Sequence, residues 1–306
     1  MLDVIVVGDI DTDTFYIVPH IPQWDEGVLV HEVYEFPGGK GANTASALST
    51  LGVNTGILSA VGDDRYGAIG LEGLKRNKVD TSGVTVVSGA KTYYCIMMLD
   101  ATGEKAILVV DTNLIYPTPE ILKEKVGYLK TSKHAHFIGI EPLRMANTMR
   151  IARESGMTVS VDLDAAYPGY EACLQAIRWA DVVFVNRQGA KNFFPDLELE
   201  EILFKIREAG PSIVVVTSGK DGALGYDGKE YCYVPSYHVS VVDTTGAGDV
   251  FSAGFIYGYL QKWSLRRSIQ FGSASAALSI AKIGGQSALP TLPIVEDFIR
   301  QHTEST

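Results

Sequence analysis

DTTGAGDVFSAGF, residues 243–255, joins a turn of small residues to a segment of helical character and sets a carboxylate, Asp249, at the junction. Gly246, Ala247 and Gly248 keep the main chain free of bulky side chains, and the helix that follows presents N–H groups with no intrahelical partner in its first turn. Such a turn attracts anions through those donors and the positive end of the helix dipole. A carboxylate placed there is either a helix cap or a base beside a bound anion, and the stretch alone leaves both open. The second role suits phosphoryl transfer, in which a donor phosphate is held while a hydroxyl is deprotonated and positioned.

The rest of the chain frames this junction. Short β-branched runs recur at 4–8, 56–62, 135–140, 158–164, 182–186 and 213–219, with segments of helical length at 40–52, 64–77, 118–130, 143–155, 169–179 and 198–209 between most of them. Near-continuous apolar strands alternating with helices predict an α/β fold with a mainly parallel sheet covered on both faces. Polar residues cluster just beyond the strands, among them Asp9, Asp63, Glu141, Asp162, Asn186 and Ser218, where open α/β sheets bind ligands. Residues 12–37 and 91–111 read as extended segments without helical partners. They predict a small separate sheet that leaves the main sheet at strand ends and covers the site as a lid, within a single domain spanning 1–306.

Composition narrows the function. The 306 residues are 46% hydrophobic and 20% charged, ordinary for a globular protein, with a formal net charge of −10. That balance argues against nucleic acid as a partner. Cys95, Cys173 and Cys232 are scattered and odd in number, so neither a zinc spacing nor a disulfide framework is expected, and a reducing cytoplasmic location fits. The N-terminus lacks the basic segment of a secretory signal, and no apolar run reaches the ~18 residues of a membrane span. No Walker A sequence occurs: GAKT (89–92) lacks the glycine before lysine, and GALG (222–225) is too weak for a dinucleotide fingerprint and suits a hairpin.

A second glycine cluster, PGGKGANTASALSTLG (37–52), opens another helix built from small residues. Gly38 and Gly39 allow close approach of the backbone to a ligand, and Asn43 can both donate and accept hydrogen bonds. A plain packed helix start reads equally well from these residues alone. Together, GGKGAN (38–43) and DTTGAGD (243–249) resemble the two signatures of the ribokinase-like (pfkB) carbohydrate kinase family. VGDDRYG (61–67), DATGEK (100–105), IEP (140–142), VN (185–186) and TSGKDG (217–222) lie in the family's order between them, so the resemblance spans nearly the whole chain.

That resemblance implies a ribokinase-like three-layer sandwich with a central, mainly parallel sheet and a small β-sheet lid, and an ATP-dependent kinase acting on a sugar hydroxyl. Asp249 matches the catalytic base, and Gly246, Ala247 and Gly248 match the anion hole for the transferring phosphate. Asp13, Gly39, Lys40, Asn43 and Glu141 match substrate-side positions, and Asp11 stands where ribokinases usually have asparagine. Asn186, Ser218, Gly219 and Gly222 match the nucleotide side, together with 279–286. Asp243 and Thr245 match positions that help form a monovalent cation site in many members. ATP and Mg²⁺ are the cofactors implied, with K⁺ a further expectation. The acceptor implied is ribose-like, with a nucleoside as the alternative. A non-catalytic sugar- or nucleotide-binding homologue is a third reading, and exposed lid edges suggest a homodimer.

The chain departs from the family in two places. Gly189 stands where Asn-x-x-Glu usually places a glutamate after Asn186, and DLDAA (162–166) lacks the usual asparagine and arginine, which disfavours acidic sugars. Three other features read as structural. His134 and His136 share one side of a strand but lack a third metal ligand. TYYC (92–95) reads as packing of the lid ahead of a purine platform. SLRRS (264–268) reads as a solvated helix start.

Overall fold

Thirteen strands in two sheets are present among the described residues of the computed structural model, which are 1–102, 105–139, 142–163 and 170–303. In chain order they are β1 (Leu2–Val7), β2 (Asp11–Val18), β3 (Glu32–Gly38), β4 (Thr55–Gly62), β5 (Asp80–Val87), β6 (Tyr94–Asp100), β7 (Lys105–Val110), β8 (Ser132–Gly139), β9 (Thr158–Leu163), β10 (Val182–Asn186), β11 (Ile213–Thr217), β12 (Ala223–Tyr226) and β13 (Tyr231–Val234). The large sheet runs β13-β12-β11-β10-β9-β8-β1-β4-β5. It is parallel from β11 to β5, and the β12–β13 hairpin adds an antiparallel edge.

The central strands are apolar throughout because helices cover both faces. In β1, Val4 and Val6 join a core that includes Ala42, Leu48 and Phe255, whereas Ile5 and Val7 join the opposite core with Met145, Met149 and Ile202. β10 repeats the pattern, with Val182 and Phe184 on one side and Val183 and Val185 on the other. Successive side chains of a strand point to opposite faces, so covering both demands apolar residues in succession. This is the three-layer sandwich expected from the sequence. β5 was not foreseen: its sequence, DTSGVTVV, is polar for half its length because it is an edge strand that remains partly exposed.

The small sheet runs β3-β2-β6-β7, antiparallel at both outer pairs and parallel between β2 and β6. Phe15, Tyr93, Cys95 and Met97 give it a core of its own, against which Phe36 and Ile115 pack. Its strands begin where the large sheet's strands end. β1 passes through Asp9 into β2, and β3 runs through Gly38 into the helix Lys40–Thr50. That helix packs against the helix Ala247–Leu260. Residues 41–48 of the first helix are all buried and mostly small, which lets the two glycine motifs, two hundred residues apart in sequence, come together.

Candidate active site

The helix Ala247–Leu260 starts from Gly246, a left-handed N-cap with φ of 77° that carries no capping side chain. A side chain at Gly246 would suffer in two ways: the backbone conformation is strained for any L-residue, and an added Cβ would lie 3.0 Å from Cα of Gly285. Beside it, a Cβ at Gly248 would meet nothing within 4 Å, so the first turn faces open space. The geometry is that of an anion-binding turn, with main-chain donors unobstructed by side chains.

Asp249 lies in this first turn but does not cap it. Its Oδ2 accepts a hydrogen bond from Asn43 Nδ2 at 2.9 Å. Asn43 Oδ1 accepts in turn from Gln286 Nε2 at 3.2 Å, and Gln286 Oε1 accepts from Ser46 Oγ and Asn77 Nδ2, each at 3.2 Å. The chain of amides fixes which way Asn43 points, and so presents an N–H to the carboxylate. Only 4% of Asp249 is exposed. Burial pushes its carboxyl up to about 8, against the opposing pull of Lys40 and the Asn43 hydrogen bond. A carboxyl poised near neutrality, held by a single donor and lining a cavity, is suited to take a proton.

That cavity, about 510 Å³, is lined by Asp9, Asp11 and Asp13, by Gly39, Lys40 and Asn43, and by Lys105 of β7. Asp9 holds the start of the Lys40–Thr50 helix, accepting from the N–H groups of Lys40 at 3.1 Å and Gly41 at 2.9 Å. At Gly39 (φ +93°) an added Cβ would strike the main chain of Asp9 and Asp11, and at Gly38 it would strike both the Asp11 and Asp13 carboxyls. These glycines bring the acids and the helix start together. Burial, then the charge of Asp243, raises Asp13 to about 7; burial, then the charges of Asp13 and Asp9, raises Asp11 well above the ordinary carboxylate range. Asp11 Oδ1 is buried without a hydrogen-bond partner. Among the described residues, Asp11, Asp13 and Cys95 alone have the spacing of metal ligands. The Cys95 thiol, however, donates to Asp11 at 3.7 Å and is pushed up by burial, so it remains protonated and is a poor ligand.

A second cavity, about 600 Å³, opens on the other side of the turn, and Thr217, Thr244, Ala247 and Gly248 line both. Gly219 and Gly222 line this second cavity, as do Tyr237, Ala277 and Ile280. Ser218 holds the adjoining turn through its main chain, with its N–H donating to Gly222 O at 2.8 Å, while its hydroxyl oxygen is buried. Asn186 lines the acidic cavity, and its side chain caps the next helix by accepting from Gly189 N–H at 2.8 Å. Gln188, beside Gly189, donates along its own helix to Asn192 and so does not stand in for the missing glutamate. Glu141 lies outside the described residues, as do Asp164 and Ala166.

The remaining features are structural. His134 and His136 are pushed down to about 3 by burial and share hydrogen bonds with Thr158 and Ser160. Tyr94 stacks on Tyr66, with ring centroids 4.6 Å apart, and Tyr93 and Cys95 pack in the small sheet's core while also lining the acidic cavity. In SLRRS, Ser264 caps the helix Leu265–Ser279. Sequence reading missed Gln286, Asn77 and Lys105 as site residues and left Asp9 without a role. Asp9, at a strand end facing a glycine-led helix start, could have been found; Lys105 and Gln286 lie in stretches that the resemblance named, DATGEK and 279–286, and Asn77 does not, but the contacts all three make run across the fold.

The profile described as pfkB family carbohydrate kinase matches residues 1–292. An ATP-dependent ribose-1-phosphate kinase of Halopiger xanaduensis is 31% identical over 301 residues, covering 98% of this chain and 99% of its own. The crystal structure of a ribokinase from Thermotoga maritima superposes with a TM-score of 0.83 at 27% identity, over 98% of this chain and 100% of that one. An Arabidopsis thaliana ribokinase solved with ribose and ATP has the same fold, with a TM-score of 0.83 at 21% identity over 98% of this chain and 99% of its own.

Proposed function

The chain belongs to the pfkB family of carbohydrate kinases and is an ATP-dependent carbohydrate kinase, and from that premise we propose that it transfers the γ-phosphate of ATP to a hydroxyl of a small, ribose-like sugar. One observation carries this reading. Asp249, a buried carboxylate with its proton affinity raised toward neutrality, stands where an acid-lined cavity meets a second cavity across an open helix start.

In this reading the sugar enters the acidic cavity. Its hydroxyls donate to Asp13 and Asp11, neutral alcohols being good partners for carboxylates and for the unpartnered Asp11 oxygen. Asp249, oriented by Asn43, takes the proton of the attacking hydroxyl, and the N–H groups at Gly246 to Gly248 hold the phosphate as it passes. The nucleotide lies along the second cavity, its base against Tyr237, Ala277 and Ile280 and its phosphates toward the shared turn. Asn186 and Asp162 set an amide and a carboxylate on the wall of the acidic cavity, oxygen donors of the kind Mg²⁺ takes alongside phosphates and water, although Gly189 supplies no third. When bound, Mg²⁺ supplies neutralisation of phosphate charge. A homodimer through the lid belongs to the same reading, since β7 is an edge strand and Leu108, between the cavity-lining Ile107 and Val109, stays half-exposed on it. Among the described residues no helix is long and apolar enough to cross a membrane, and we place the enzyme in the cytoplasm.

The test is a panel assay with ATP and Mg²⁺ over ribose, ribose 1-phosphate, other pentoses, hexoses and nucleosides. A free pentose is expected to give the highest kcat/KM. A nucleoside or sugar phosphate in first place would overturn the acceptor named here. Binding of sugar and ATP without turnover would make the chain a non-catalytic homologue.

A further inference from the structure

Asp243 and Thr245, the pair whose resemblance to the family implies a monovalent cation site, already hold a cation. The Lys105 ammonium on lid strand β7 donates to Thr245 Oγ1 at 3.0 Å and to Asp243 Oδ1 at 3.3 Å. The Asp243 side chain is 4% exposed, and that of Lys105 27%. Asp243 Oδ1 also accepts from Thr245 N–H at 3.0 Å and from its hydroxyl at 2.7 Å, and Oδ2 accepts from Gly284 N–H at 2.9 Å. Burial alone would raise the Asp243 carboxyl, yet the Gly284 and Thr245 donors and Lys105 outweigh it and hold it below the ordinary range. A buried carboxylate whose two oxygens receive these donors, and whose charge one ammonium balances, leaves no uncompensated charge for a second cation. The residues present do not fit a potassium ion alongside Lys105.

We infer that Lys105 is a tethered substitute for a monovalent cation: its ammonium supplies the positive charge beside the phosphate-binding turn, and the lid delivers it. An ammonium is a compact point charge whose N–H groups satisfy the same oxygens that would otherwise coordinate an alkali ion. The Asp243–Thr245 turn leads directly into Gly246, so a charge fixed there also fixes the shape of the anion-binding turn. Because Lys105 opens β7, the turn is electrostatically complete only while the lid lies over the site. Lys105 is thus a positioning residue acting through Asp243 and Thr245. The proposal rests on the placement of the phosphate turn given above, but its first readout needs no substrate.

The thermal midpoint and the turnover of the unmodified protein are compared in KCl, NaCl and tetramethylammonium chloride at equal ionic strength. Both are expected to be the same in all three salts. In Lys105→Met, turnover is expected to fall about 10-fold, less than the roughly 10²–10³-fold of losing a donor that touches the reacting group, because Lys105 acts through Asp243 and Thr245. KCl or NH₄Cl should then restore it where tetramethylammonium chloride does not, and raise the midpoint relative to that salt. Activation or stabilisation of the unmodified protein by K⁺ over tetramethylammonium would overturn the proposal. So would a folded Lys105→Met protein with undiminished turnover, or one that no small cation rescues. Should that variant fail to fold, the salt comparison on the unmodified protein still decides.

Discussion

The two cavities that meet at residues 244–248 both have apolar walls and differ in the acids set among them. One is lined by Asp9, Asp11, Asp13, Asp162 and Asp249; the other by the aromatic and aliphatic surfaces of Tyr237, Val241, Phe251, Ala276 and Ile280 around the glycines of the 219–222 turn. The difference follows the ligands. A sugar is neutral and polyvalent, so the protein supplies the charge; a nucleotide brings its own charge, so the protein supplies apolar surface and main-chain donors. Two aspartates at either end of the shared turn repeat the lesson. Asp243, given donors to both oxygens and a lysine in contact, is held ionised, whereas at Asp249 burial outweighs the pull of Lys40 and the Asn43 amide and leaves a raised proton affinity. Burial acts on both in the same direction, and the partners decide the outcome.

Two substitutions would break or sharpen this contrast. Asp249→Asn has the largest expected effect: turnover should fall by about 10²-fold or more, the low end of general-base effects, with ATP affinity by calorimetry nearly intact. Undiminished turnover would remove Asp249 from the chemistry. Asp13→Ala should raise the sugar KM by about 10-fold, as for a lost hydrogen bond to a charged group, and leave the ATP KM in place. Were the ATP KM to move instead, the two cavities would have been assigned the wrong way round.

The smallest effect is on stability. With folded values of about 8 for Asp249 and about 7 for Asp13, the folded protein retains protons that the unfolded chain releases above the ordinary carboxylate range. Stability therefore falls as pH rises toward 8, opposite to the usual carboxylate case. Asp249→Asn abolishes its share of that loss and keeps an acceptor for Asn43. Its thermal midpoint should exceed the parent's by about 2–4 °C above pH 8, and the gap should close in acid where the parent's carboxyls are protonated in both states. A lower midpoint at high pH would mean that Asp249 is stably ionised in the fold.

Much of this was legible in the sequence. Runs such as VIVVG and VVFVN, short, β-branched and alternating with helical segments, read as strands covered on both faces, and the polar residues beyond them mark the ligand side. The two glycine motifs displayed small residues that permit close backbone approach, but read alone they left their role open, and only their joint resemblance to the family's signatures implied a chemistry. What stayed hidden depends on side chains meeting across the fold. Nothing near Gln286 says that its amide orients Asn43, and nothing in DATGEK says that Lys105 reaches a turn 138 residues away. β5 escaped because an edge strand with a wet face lacks the apolar run that marks its neighbours.

The account's central claim is that the two cavities deliver a hydroxyl and a phosphate to opposite sides of one carboxylate. A crystal structure with the preferred sugar and a non-hydrolysable ATP analogue tests it most directly. The acceptor hydroxyl should lie within hydrogen-bond reach of Asp249, about 2.6–3.2 Å, with the base of the analogue beside Tyr237 and Ile280. A sugar bound with every hydroxyl beyond reach of Asp249, or a nucleotide lying among the aspartates, would contradict it.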